Sequence, residues 1–294
     1  MRVCVTGASG HIGSAVVPEL VQAGHEVVGV VRSDASAAAV EAMGAEVRRG
    51  DLDDLDALRR AAAEADAVVH LAFDHRAMGA GDFAGAVATD LAVVRALGDE
   101  LSGTGKALIG IGLTPTGDPG RDAAINANPR SAVARELAGY AEHGVRTILV
   151  AIPPVTHSDR DRTGFIPRMI GFARATGVSG YVGDGANRWP AGHTLDVARL
   201  YRLALEQAPA GAQLYAATEE GITLREIAET IGRRLDLPAG SIPAERVADH
   251  FKGFPFVTLD ITMPNADTRK LLGWNPTHPG LIADLEADHY FTTA

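Results

Sequence analysis

Strand-like runs, most of them near-continuously apolar, occupy residues 2–6, 26–31, 45–49, 66–72, 106–112 and 145–152. Between them, 12–23, 35–43, 54–65, 82–101 and 130–143 carry apolar residues at helical spacing. Strands apolar on both faces, alternating with helices, predict a parallel sheet covered on each side. Pro18 falls inside the first helix, where it removes a backbone donor and should bend the axis.

The rhythm breaks near residue 153. Pro153-Pro154, the polar stretch from His157 to Thr163 and Gly183-Asp184-Gly185 read as loops and turns. Helices are predicted at 196–207, with Asp196 as N-cap, and at 223–235, with a strand candidate at 212–217. The expected organisation is a doubly wound α/β domain over 1–153 and a smaller C-terminal substrate lobe over 154–294. Segments near 191–217 are expected to return to the main domain.

The first strand runs into Thr6-Gly7-Ala8-Ser9-Gly10-His11-Ile12-Gly13, and a helical pattern follows at once. Glycines at 7, 10 and 13 let a strand turn sharply into a helix with no Cβ at three crowded points. Such a turn sets backbone N–H groups and the positive end of the helix dipole against a pyrophosphate. The position between strand and helix is what gives the spacing meaning. Gly7, Ser9, Gly10, His11, Ile12 and Gly13 are therefore expected to line a dinucleotide site.

The ribose end of that site should follow the second strand, where an NAD enzyme needs a carboxylate for the hydroxyls. Arg32 and Ser33 stand there instead and suit a 2′-phosphate, with His11 placed to help. NADP is the expected cofactor. Asp34 keeps NAD open, and Arg32 also reads as a solvated surface residue. Asp51-Leu52 after the third strand is placed to accept from the adenine amino group, or to shape a turn. Leu71-Ala72-Phe73 after the fourth strand should run along the ribose and pyrophosphate, with His70 packed in the strand.

Composition narrows the partners. Over 294 residues, 46% are apolar and 22% charged, as in a water-soluble globular protein, and the formal charge is −10. An acidic chain with no apolar stretch of membrane-spanning length is expected to bind neither nucleic acid nor membrane. Met1-Arg2 leads straight into the first strand, so no signal peptide is expected, and the location is expected to be cytoplasmic. The single cysteine, Cys4, lies inside that strand as a small apolar side chain.

Together these pieces resemble the short-chain dehydrogenase/reductase superfamily, in its extended and atypical branches. The residues that carry the likeness are TGASGHIG at 6–13, Asp51-Leu52, His70-Leu71-Ala72, Pro153-Pro154 and HTLDVARLY at 193–201. The resemblance implies a Rossmann fold, a nicotinamide ring near Ala72, Leu113 and Pro153, and a small organic substrate. It also implies a homodimer interface on the Ala- and Val-rich helices 82–101 and 130–143.

The superfamily's catalytic Tyr, followed four residues later by Lys, is missing. None of the five tyrosines has a lysine at that spacing. The resemblance places Arg130 at the Tyr position and Ala134 at the Lys position, with Thr114 or Thr116 nearest the position of the catalytic Ser. Guanidinium does not release a proton near neutrality, so Arg130 is suited to hold a substrate oxygen rather than to protonate it. His75, His157 and His193 are the candidate proton sources, with His193 placed in the catalytic set beside Arg130 and Thr114. The implied activity is NADP-dependent oxidoreduction of a carbonyl or alcohol. A non-redox isomerase, cyclase or lyase, or a dinucleotide sensor without catalysis, stays open.

No histidine or cysteine pattern has metal-ligand spacing, and no metal is expected. Trp189, with Asn187 and Arg188, reads either as the wall of a substrate pocket or as a packing anchor after a turn.

Overall fold

The computed structural model describes residues 1–112 and 119–292. Its strands are β1 (Arg2–Thr6), β2 (Glu26–Val31), β3 (Glu46–Arg49), β4 (Ala67–His70), β5 (Ala107–Ile111) and β6 (Arg146–Ala151). They continue with β7 (Val155–His157), β8 (Ser179–Val182), β9 (Arg188–His193), β10 (Ala212–Tyr215), β11 (Glu219–Thr223) and β12 (Ala239–Ile242). The chain divides into two units. One comprises Met1–Ala151, Ala198–Leu214 and Thr268–Trp274; the other holds Ile152–Val197, Tyr215–Asp267 and Asn275–Ala294.

In the first unit the sheet order is β10-β6-β5-β4-β1-β2-β3, and β1 through β6 pair in parallel. The order reverses between β1 and β4, so the crevice of this doubly wound sheet opens where Thr6 and His70 end their strands. Val3, Val5, Val68, Val69, Leu108 and Ile109 are fully buried, as residues covered on both faces must be. Helices Phe83–Leu101 and Ser131–Gly139 pack over β4 and β5 through Val93, Leu97, Leu101 and Leu137. Pro18 lies within the first helix, Gly13–Gln22, as the sequence required.

The second unit has β9 between antiparallel β11 and parallel β7, and a separate parallel pair, β12 with β8. Its core gathers Ile166, Met169, Ile170, Trp189, Leu224, Ile227, Ile231, Phe251 and Leu281. One expectation is corrected here. Asp196 is not an N-cap: it sits inside the helix Thr194–Gln207 and accepts the N–H groups of Thr277 and His278, both at 3.0 Å. The polar stretch that follows β7 is a loop, as read, with Asp159 and Arg160 exposed and part of its polar set enclosed. His157, Ser158 and Asp161 are buried, and Asp161 accepts the Gly164 N–H at 2.9 Å and the Tyr290 hydroxyl at 3.1 Å.

Candidate functional site

Gly7 turns the chain at the end of β1 with φ +69°, a conformation costly for any residue with a Cβ. A Cβ there would meet the Ala72 nitrogen at 2.7 Å, because the ends of β1 and β4 nearly touch. At Gly13 a Cβ would meet the Gly7 oxygen at 2.1 Å. The Gly10 N–H closes the turn on that same oxygen at 2.9 Å, and Ser9 and Gly10 are exposed on its rim. Ile12 caps the helix Gly13–Gln22 with no side-chain hydrogen bond, whereas Ser33, Asp54 and Asp82 each cap their own helices. A helix N-terminus directly behind a glycine turn fits the pyrophosphate of a dinucleotide.

At the ends of the neighbouring strands, Arg32 is exposed and makes no hydrogen bond or ion pair among the described residues. Asp34 pairs with Arg49. Ser33 is engaged locally: its oxygen accepts the Ser36 N–H at 3.2 Å and its hydroxyl donates to Ser36 Oγ at 3.0 Å. Asp51 accepts the N–H of Leu52 at 2.8 Å and lies 4.0 Å from the Arg76 guanidinium. Beyond β4, Leu71 donates its N–H to the Thr6 carbonyl at 3.2 Å, and Ala72 donates to the Thr6 hydroxyl oxygen at 3.3 Å.

A chain of buried polar groups runs from this turn into the helices. The Thr6 hydroxyl lies 2.6 Å from His70 Nδ1, and His70 Nε2 lies 2.9 Å from Asp90 Oδ1. The other oxygen of Asp90 accepts from Arg130 Nη2 at 3.0 Å and Nε at 3.3 Å. Thr6, His70 and Asp90 are each no more than 4% exposed. Burial pushes the Asp90 carboxyl up, but the hydrogen bond from His70, with the Arg130 guanidinium beside it, holds it below the ordinary value of 3.8. Arg130 is a quarter exposed and lies over the Phe73 ring, 4.1 Å from its centroid. Its Nη1 edge engages nothing among the described residues. His75 also packs against Phe73, its ring centroid 5.4 Å away and edge-on. Burial first, and then the Arg130 charge, lower its pKa from 6.5.

No tyrosine replaces the missing acid in this unit. Tyr140 donates to Asp99 at 2.7 Å, and Tyr201 is enclosed completely. Burial raises the pKa of both phenols far above neutrality. Ala134, at the position of the family's Lys, is buried. Leu113, Thr114 and Thr116 lie outside the described residues.

His193 belongs to the second unit, where Pro153 abuts Gly192. Its ring stacks on His278 at 4.6 Å with planes 5° apart, and meets His157 edge-on at 5.4 Å. Burial, with His157 and His278 adjacent, lowers its pKa to about 4. Its Nδ1 accepts the Leu195 N–H at 3.3 Å, which leaves the proton on Nε2. His193, Asp196 and His278 bring ligand-type atoms within 4.8 Å of one another. Lone pairs lying in two parallel ring planes cannot converge on one ion, so this grouping is not arranged to share a metal.

Trp189 is a packing anchor, not a pocket wall. It is fully buried, and its indole N–H donates to the Phe256 carbonyl at 3.1 Å. Arg188 pairs with Asp260 at 2.8 Å, and Asn187 donates to the carbonyls of Val257 and Leu259.

Asp90 is the residue that sequence reasoning missed. The signal was present: an acid on the apolar face of a helix, spaced with Ala86, Val93, Val94 and Leu97.

Comparison with known proteins gives matching results. Residues 3–94 match the model of the NAD dependent epimerase/dehydratase family. An uncharacterized protein of Schizosaccharomyces pombe is 41% identical over 305 residues, covering 99% of this chain and 100% of its own. Another from Saccharomyces cerevisiae is 38% identical over 300 residues, covering 98% of this chain and 99% of its own. Among solved structures, UDP-glucuronic acid 4-epimerase from Bacillus cereus, in complex with UDP-glucuronic acid and NAD, superposes with a TM-score of 0.74. It is 20% identical and covers 98% of each chain. The dTDP-glucose 4,6-dehydratase DesIV of Streptomyces venezuelae gives 0.72 at 22% identity, with 97% of this chain and 96% of that one covered.

Proposed function

The chain belongs to the extended branch of the short-chain dehydrogenase/reductase superfamily, and from that membership we propose that it is an NADP-dependent oxidoreductase of a small carbonyl or alcohol substrate. What carries the reading is Arg130, fixed by buried Asp90 and by Phe73 while one guanidinium edge stays unengaged.

The glycine turn, from Gly7 to Gly13, would hold the pyrophosphate, and Arg32 the 2′-phosphate. Asp51 and Leu52 would border the adenine, with Leu71, Ala72 and Phe73 along the ribose. When bound, the nicotinamide supplies or takes the hydride. Arg130 offers N–H donors to the substrate oxygen as charge develops there, an effect worth about 10²–10³ in rate per donor. Its own proton stays in place, since guanidinium remains charged at working pH. The proton comes from another group, and His75 is the histidine that shares Phe73 with Arg130. Neutral His193 can offer its Nε2–H as a hydrogen bond but is not poised to give up a proton near pH 7.

Purified protein would be mixed with NADPH and a panel of aldehydes and ketones, following absorbance of the reduced nicotinamide. Stoichiometric oxidation that collapses in Arg130→Met supports the proposal. Product formed with no net NADPH consumption points instead to hydride returned within one turnover, as an epimerase or dehydratase requires. Turnover untouched by the substitution removes Arg130 from the catalytic set.

A further inference from the structure

Asp90 gives Arg130 only one of its two oxygens. The other is held by His70, and this constraint decides how the guanidinium sits. Were Oδ1 free, the carboxylate could turn and take Arg130 in a two-oxygen fork, the preferred geometry of such pairs. Instead Nε and Nη2 crowd onto Oδ2, and the Nη1 edge is left over.

The hydrogen-bond directions along the chain are set by its members. Thr6 Oγ1 accepts the Ala72 N–H, so its own hydrogen needs an acceptor, and His70 Nδ1 lies 2.6 Å away. Asp90, as a carboxylate, only accepts, so His70 Nε2 must donate to it. One arrangement satisfies every group: Nδ1 bare and Nε2 protonated. A proton on Nδ1 would leave the Thr6 hydroxyl hydrogen without an acceptor among the described residues. β1 and β4 supply the two ends of this step, because Thr6 and His70 are register partners in the parallel pair.

We infer that His70 is a positioning residue, locked by Thr6 with its proton on Nε2, that sets the pose of Arg130 through Asp90. The inference rests on the reading of Arg130 as the group that meets substrate, and extends it to two residues that need not touch substrate themselves. The turn behind Gly7 and the guanidinium are thereby parts of one hydrogen-bonded unit.

The test uses the full, ligand-free chain labelled with ¹⁵N, so it holds whether or not NADPH binding is found. Imidazole ¹⁵N shifts at neutral pH should report His70 Nε2 as protonated and Nδ1 as a bare acceptor. The Arg130 Nε–H signal should be resolved and slow to exchange. In His70→Leu that signal should shift and exchange about tenfold more slowly, as Asp90 turns to take Nε–H and Nη2–H on separate oxygens. His70→Gln, which keeps a donor for Asp90, should restore it. Thr6→Val, close in shape, should loosen the tautomer preference without unfolding the chain. A His70 proton found on Nδ1 in the wild-type protein overturns the inference with no variant needed. So does an Arg130 signal that His70→Leu leaves unchanged.

Discussion

Arg130 places both its Nε and Nη2 hydrogens on a single oxygen of Asp90, at 3.3 and 3.0 Å. A carboxylate 2% exposed is thus neutralised by a guanidinium that still reaches solvent. Arg130→Met should strand that carboxylate. Breaking an enclosed pair costs about 3–5 kcal/mol, and water entering on the Arg130 side should hold the loss to about 2 kcal/mol. Urea unfolding would measure it. An unchanged midpoint would mean that Asp90 is satisfied without Arg130.

Gly13→Ala tests the turn. Its Cβ would lie 2.1 Å from the Gly7 carbonyl, which must move and carry the turn with it. NADPH affinity should fall by at least about tenfold, or 1.4 kcal/mol. Gly10→Ala, where the contact is 3.1 Å, should cost less. Equal affinities for both variants and the parent would contradict the role assigned to the turn.

The buried ring of His193 makes stability depend on pH. Its folded pKa of about 4 lies below the ordinary 6.5, so the unfolded chain binds the proton more readily between those values. Its contribution is complete above pH 6.5 and is lost progressively as pH falls toward 4. His193→Phe should flatten that part of the profile of unfolding free energy against pH. A profile equally steep in the variant would place the titration elsewhere.

Trp189→Ala should cost about 3–5 kcal/mol, as removal of a fully buried indole does. Cofactor affinity should be unchanged under conditions where the variant is folded. A selective loss of substrate turnover, without loss of stability, would return Trp189 to the role of pocket wall.

The sheet was legible because its physics is local. Strands buried on both faces are written as apolar runs, and β1 and β2 begin and end at the residues their patterns predicted. The glycine turn was legible for the same reason, since strand, turn and helix are contiguous. The relay behind it was not. Thr6 is 64 positions from His70, and Asp90 lies 40 from Arg130, so their pairing exists only once β1, β4 and two helices have packed. The segment around Trp189 was ambiguous for the same reason. Its polar density fitted a pocket wall or a packing anchor alike, and what decides is that Asn187, Arg188 and Trp189 are satisfied by residues 256–260, about seventy positions on.

An NADP site built on the turn at Gly7 and completed by Arg32 underlies the proposed oxidoreductase activity. Fluorescence titration of NADPH and NADH against the wild-type protein and Arg32→Ala probes that site without needing a substrate. The wild-type protein should bind NADPH in the micromolar range and NADH much more weakly. Arg32→Ala should lose about tenfold or more for NADPH while NADH changes little. Equal affinities for the two cofactors, unmoved by the substitution, would contradict the NADP site.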